Sequence, residues 1–181
     1  MGSITIRGAS DAEVANVDNH ALRARQYGEW EDALANGQAF SWMNATYDYT
    51  ALDTILGVEN NSPTKDLKIK SIFVTGSTAS QFVVFTASGI TMAGTAVTGV
   101  SLNRNVATVA PATAKGDETG NGEQAGGYVT GLIAGQFANN GQVEIPVDGA
   151  IILPQDHMIG VDLTADGTTC NVVIFGYFVD R

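Results

Sequence analysis

Leu67-Lys68-Ile69-Lys70-Ser71-Ile72, running on through Phe73-Val74 to Gly76-Ser77, alternates apolar and polar residues. Successive side chains of a strand point to opposite faces, so this stretch predicts a strand with one face on a core and the other in water. Reading outward, Gln81 to Thr86 is apolar and β-branched, as in a buried strand, and Thr54 to Glu59 precedes the turn cluster Asn60-Asn61-Ser62-Pro63. Ala39 to Trp42 and Thr46 to Thr50 are short aromatic-rich runs split by a turn at Asn44, and Val97 to Leu102 and Val106 to Val109 are predicted as further strands. Beyond a loop from Lys115 to Gly127 come Tyr128 to Ile133, Gln142 to Pro146, Ala150 to Leu153, Met158 to Leu163 and Asn171 to Val179. Asn140-Gly141, Asp148-Gly149 and Asp166-Gly167 accept positive φ and are read as the hairpin turns between them. Strands and helices do not alternate, which argues against a parallel α/β sheet. The pattern predicts an all-β fold, a jelly-roll-like antiparallel β-sandwich. The last strand, ending Gly176-Tyr177-Phe178-Val179, is apolar on both faces and is expected at the centre of a sheet.

One short helix is expected over Tyr27 to Ala35. Tyr27, Trp30 and Leu34 share a face at spacings of three and four, Glu29, Glu31 and Asp32 favour its N-terminal half, and Asn36-Gly37 stops it. Residues 1–26 hold few apolar anchors and are read as an extended N-terminal arm, with residues 27–181 forming the sandwich domain. The apolar points of the arm, Ile4, Ile6, Val14, Val17 and Leu22, have a spacing that suits a strand added to another chain's sheet edge, with Arg23 and Arg25 beside them.

The chain has 181 residues, 44% of them apolar and only 15% charged, against roughly 25% charged in ordinary domains. Low charge with 21 glycines suits strands and turns, and a surface partly covered by partners. The net charge of −10, with nine Lys and Arg residues scattered along the chain, argues against nucleic acid and anionic membranes as partners. Lys65, Lys68 and Lys70 come closest to a basic cluster and read as one solvated strand face. The first residues show no signal peptide, and no apolar stretch reaches the ~18 residues of a membrane-spanning helix; synthesis in a cytoplasm is expected.

Few residues of the chain suggest chemistry. A nucleophilic hydrolase needs a Ser or Cys beside a His, and the two histidines, His20 and His157, lie in the arm and in a turn. Cys170, the single cysteine, sits in an apolar run and reads as an inert buried thiol rather than a partner of His157. Two distant histidines cannot supply a cupin metal set. Asp48, Asp53, Asp117, Glu118, Asp162 and Asp166 fall mostly in turns, where Asp serves the backbone, and carry no specific sign of a glycosidase pair. Asp117, Glu118 and Asn121 lack the spacing of a calcium loop. No catalytic residue, cofactor or metal is expected. Trp30, Phe40, Trp42, Tyr47 and Tyr49 crowd into twenty residues, and two readings stand: an interface or sugar-stacking patch, or a staple fixing the helix to the sheet.

Val17-Asp18-Asn19-His20-Ala21-Leu22-Arg23 resembles the opening segment of many tailed-phage virion proteins. Phe40-Ser41-Trp42 and Tyr47 to Leu56 are similar to the first core strands of such proteins, as is the ending from Val161 to Gly167 and from Phe175 to Val179. The Gly-rich middle, Ala87 to Gly99, departs from the likeness. The resemblance implies a non-enzymatic capsid decoration, or cement, protein: a jelly roll on the capsid surface of the virion that clamps the major capsid protein. It also implies contact with neighbouring copies as a homo-oligomer, trimeric in many shell proteins. The alternative is a receptor- or glycan-binding module of a tail or head fibre.

Overall fold

A computed structural model describes residues 6–7, 12–18, 21–25, 28–44, 47–49, 54–89, 91–92, 94–106, 108–116, 130–163 and 168–181. In the segment read as an arm, β1 (Ile6–Arg7), β2 (Ala12–Asp18) and β3 (Ala21–Arg25) form a three-stranded antiparallel sheet of their own, with Val17 in register with Leu22 and Asn16 with Arg23. Helix α1 (Glu29–Ala35) begins two residues later than the sequence pattern suggests because Gly28 is still extended, and it stops where Gly37 takes φ +68°. Asn103 finishes that end: its Nδ2 donates to the carbonyls of Leu34 and Ala35 at 2.9 and 3.0 Å.

The remaining strands are β4 (Ala39–Met43), β5 (Tyr47–Tyr49), β6 (Thr54–Asn60), β7 (Lys65–Gly76), β8 (Ser80–Ser88), β9 (Thr95–Val97), β10 (Val100–Ser101), β11 (Ala112–Gly116), β12 (Thr130–Phe137), β13 (Gly141–Leu153), β14 (His157–Leu163) and β15 (Thr168–Asp180). They make two six-stranded antiparallel sheets. The first runs β10-β4-β15-β7-β13, with β5 also on β15, and the second runs β12-β8-β14-β6-β11-β9. Eight of these strands pair like a long hairpin doubled over: β4 with β15, β6 with β14, β7 with β13 and β8 with β12. Rolling that ribbon also sets β15 beside β7 and β14 beside β8. This is the double Greek key of a jelly roll, so the expected architecture holds, and β15 is central as its two apolar faces required.

The core lies between the sheets. Phe40, Trp42, Leu67, Ile69, Ile72, Val74, Val172, Ile174 and Phe178 from the first sheet meet Ile55, Leu56, Val58, Phe82, Val84, Ile159, Val161 and Leu163 from the second. Two buried asparagines hold the strand ends. Asn44 ends β4 by taking the place of a ladder partner: its Oδ1 accepts from the Val172 amide, and its backbone carbonyl accepts from Asn171 Nδ2. Asn60 donates from Nδ2 to the carbonyls of Lys65 and Leu153 and accepts the Ser62 amide, which closes the turn into β7. A polar side chain taken out of water must find such partners, and these two find backbone groups.

The strand pattern differs from expectation at four places. The stretch 142–153 was expected as two strands parted at Asp148-Gly149, but β13 is continuous. Pro146 pairs with Ser71 and Ile151 with Ile69, so the Asp148-Gly149 pair, at φ +50° and +81°, is an inserted bulge rather than a hairpin turn. Val97 to Leu102 is split between the sheets, with β9 pairing β11 and β10 pairing β4. Val106 and Val109 lie in loop rather than strand, and Val109 is 91% exposed. Lys115 and Gly116, assigned to the long loop, end β11 instead.

Candidate partner-binding surface

The outer face of the first sheet is divided by a shift in β7. Phe175 pairs with Ser71 and Gly176 with Ile69, which leaves Lys70 as an extra residue against β15. The insertion keeps both Ile69 and Ile72 in the core although they stand three apart. It also turns Phe73 outward, beside Phe175.

Below the shift the face is covered by α1. The Trp30 ring stands edge-on to Tyr177 at 5.5 Å, with Ala33, Leu34, Ala39 and Val179 around them. Lys68 Nζ lies 2.6 Å from Glu29, Tyr177 donates its hydroxyl to the same carboxylate at 3.4 Å, and Lys70 pairs with Asp148 while its ammonium lies over the Trp30 ring at 5.9 Å. Gly149 is required in the bulge, since a Cβ there would lie 2.7 Å from the Tyr177 hydroxyl and the backbone is left-handed. Lys65 pairs with Asp180 at 3.0 Å. The three lysines read as a solvated face are therefore each paired with an acid, and part-exposed pairs of this kind stabilise weakly, by about 0–1 kcal/mol each.

Above the shift the face is open and sparsely charged. Phe73 and Phe175 meet edge-to-face at 5.7 Å and stay half-buried, flanked by Val173, Ser41, Ser71, Thr75 and Asn171. Glu144 borders this area, in register with Phe73.

The residues singled out from the sequence fall in different places. Trp30 joins the helix to the sheet, whereas Phe40 and Trp42 are fully buried between the sheets and offer no surface for stacking a ligand. Tyr47 and Tyr49 lie on β5 against the start of β15. Ile6 is on β1, Val14 and Val17 on β2, and Leu22, Arg23 and Arg25 on β3; Ile4 lies outside the described residues. So do His20 and the loop positions Asp117, Glu118 and Asn121. Among the described residues no three His, Cys, Asp or Glu side chains are grouped as a metal would need. Cys170 is fully buried at the start of β15, while His157 opens β14, six residues from its far end. At about 3.3 Å per strand residue the two are roughly 20 Å apart. Phe73 and Val173 are not among the residues singled out from the sequence, and Phe175, expected in the core as part of the most buried strand, instead points outward and is half-buried. Their signal is the break in alternation at Lys70-Ser71, which marks the residue where the outward set changes from charged to aromatic.

Burial, with the Glu29 charge behind it, pushes the Tyr177 phenol from 10.0 up to about 12. Burial likewise pushes the Cys170 thiol from 9.0 up to about 12. Both folded values lie above the ordinary ones, so the fold favours the protonated forms. Their contribution is complete below about pH 9 and is lost as pH rises from there towards 12. Denaturation midpoints are expected to be level at neutral pH and to fall through this alkaline window, with Cys170→Ala delaying the onset towards pH 10. A midpoint that holds steady up to about pH 11 contradicts both shifts.

The chain matches no protein-family model, no curated protein and no solved structure.

Proposed function

We propose that the protein is a structural component of a tailed-phage virion, a capsid decoration protein that binds and stabilises the major capsid lattice. The observation that carries the reading is the open half of the first sheet's outer face: aromatic, sparsely charged with Glu144 at its β13 border, and next to the helix that leads out of the N-terminal segment. Half-buried Phe73 and Phe175 are the type of anchor that fills a partner's pocket, and the sparse charge around them lets a chain of net charge −10 approach another protein with little local repulsion. The jelly-roll architecture and the resemblance at Val17–Arg23 and in the terminal strands support it further.

The test is co-sedimentation of the full chain with capsids stripped of decoration. Binding is expected to saturate in proportion to capsomers, and Phe73→Ser with Phe175→Ser is expected to weaken it by at least about tenfold while leaving the far-UV circular dichroism β-rich. Removal of residues 1–26 is expected to lose most binding. Failure of the intact chain to bind any capsid overturns the reading, and a few copies per virion confined to the tail or to fibres favours the receptor-binding module instead.

A further inference from the structure

Asn-Gly occurs three times in the chain, at Asn36, Asn121 and Asn140. In this dipeptide an asparagine side chain reacts readily with its own backbone, because the glycine nitrogen is not shielded by a side chain. Asn121 lies outside the described residues. The other two pairs are both demanded by the fold, yet they are held differently. Asn140 ends the crossing from β12 of the second sheet to β13 of the first, at φ +52°, a conformation that Asn tolerates better than most residues. Gly141 is fixed by the same turn, since a Cβ there would lie 2.6 Å from the Ala138 carbonyl oxygen. Ala138, Asn139 and Asn140 are all exposed. The Asn140 backbone amide donates to the Ser77 carbonyl at 3.1 Å and the Gly141 amide to the Ala138 carbonyl at 2.8 Å, but the Asn140 side chain is bonded to nothing among the described residues. Asn36, at the C-terminal end of α1, is the contrast. Its Nδ2 donates to the carbonyl and to the carboxylate of Asp32, at 3.0 and 3.1 Å, which fixes the side-chain amide on the preceding helical turn. A carboxylate formed there would face two Asp32 oxygens that only accept.

From this contrast we infer that Asn140 is a site of spontaneous covalent modification in the folded protein, and that Asn36 is protected from the same reaction. The Gly141 nitrogen attacks Cγ of Asn140 and forms a C–N bond. The bond from Cγ to Nδ2 breaks, and ammonia leaves with the proton that the glycine nitrogen has lost, closing a five-membered succinimide. Water then adds to one of the two ring carbonyls and opens the ring to an aspartate or to an isoaspartate. Only solvent water is consumed. The turn must open for the attack, because the Gly141 amide has to leave the Ala138 carbonyl, and its exposed position at the end of the sandwich makes that opening a local event. Either product adds a negative charge to a chain already at −10. The isoaspartate also lengthens the backbone by one atom just before Gly141, whose pairing with Gly76 is the first of β13 on β7, so that end of the ladder is expected to fray. Asn139, next along the turn, meets neither condition: its Oδ1 accepts the Ala79 amide at 2.7 Å, and the residue after it carries a side chain. The modification requires no capsid and stands apart from the function proposed above.

Incubation of the intact protein at mildly alkaline pH, below the window in which Tyr177 and Cys170 titrate, tests it. Peptide mapping by mass spectrometry reads each asparagine separately, Asn121 included. Asn140 is expected to gain one mass unit, as a mixture of aspartyl and isoaspartyl forms, at least about tenfold faster than Asn36, whose two side-chain hydrogen bonds must break first. In the chain unfolded by urea the two are expected to convert at similar rates, since both are followed by glycine. Asp32→Ala removes one of the two partners and is expected to speed conversion at Asn36 while leaving Asn140 unchanged. Equal rates at Asn36 and Asn140 in the folded protein overturn the inference. So does an Asn140 that converts only when the chain is unfolded, or a difference between the two that persists unchanged in urea.

Discussion

Trp42→Ala is expected to lower the unfolding free energy by about 3–5 kcal/mol, the range for removing a large buried aromatic from a packed core. Trp42 is fully buried on β4, with its ring 5.9 Å from Phe40, and it backs onto Gly99, where a Cβ would stand 2.5 Å from the indole nitrogen. No side chain can grow in from that side to fill the hole. The same nitrogen has no hydrogen-bond acceptor among the described residues. An unpaired buried donor costs about 1–3 kcal/mol in lost hydration, so Trp42→Phe deletes a penalty along with the contacts and is expected to cost well under half as much as the alanine change. Chemical denaturation of both variants measures the difference. Equal losses would show that the indole N–H is hydrogen-bonded in solution.

Ile174 and Phe175, adjacent on β15, are expected to behave oppositely. Ile174 is fully buried between Ile72 and Trp42 in register, and Ile174→Ala is expected to cost about 2–5 kcal/mol. Phe175 points out of the sandwich, so Phe175→Ala loses part of its buried area and an edge-to-face pair worth about 0.5–1.5 kcal/mol. Its larger effect is expected on capsid binding. Should Phe175→Ala destabilise as much as Ile174→Ala, the outer face above the β7 shift is covered in solution, and the proposed contact surface goes with it.

Much of this fold was legible because strands with one buried face alternate and strands buried on both faces do not. Leu67 to Ile72 alternates and Asn171 to Val179 is apolar on both sides, and they became adjacent strands at the middle of one sheet, although Val173 and Phe175 of the second stay half-buried on its open outer face. The errors have local causes. Asp148-Gly149 has the backbone preference of a hairpin turn, but that preference fixes only φ, and the same two residues fit a bulge when the strands on both sides pair with one partner, β7. β11, reading Ala112-Thr113-Ala114-Lys115-Gly116, has little intrinsic strand propensity and exists because β6 and β9 offer it edges on both sides. Val106 and Val109 look like strand residues, yet the loop is fixed by other groups: Val106 packs at Gly37, and Thr108 bonds the Gly37 carbonyl. The candidate surface was harder to read, since it depends on one inserted residue, Lys70, and on Phe73 and Phe175 meeting across a ladder.

The doubled-over pairing of the sandwich has a kinetic consequence. Among the described residues, every ladder in the two large sheets joins strands that are not neighbours in sequence, and β1, β2 and β3 alone pair in chain order. β15, the last of these strands in chain order, is also the one that β4, β5 and β7 all need. Closing such distant pairings comes before any of them is rewarded, which places all-β sandwiches in the millisecond-to-second range of folding times. On the ribosome the first sheet therefore lacks its centre until β15 has emerged. During that interval the apolar strands β6 to β8 are exposed together, which makes incomplete chains of this protein strong substrates for holding chaperones and prone to aggregate when those are saturated.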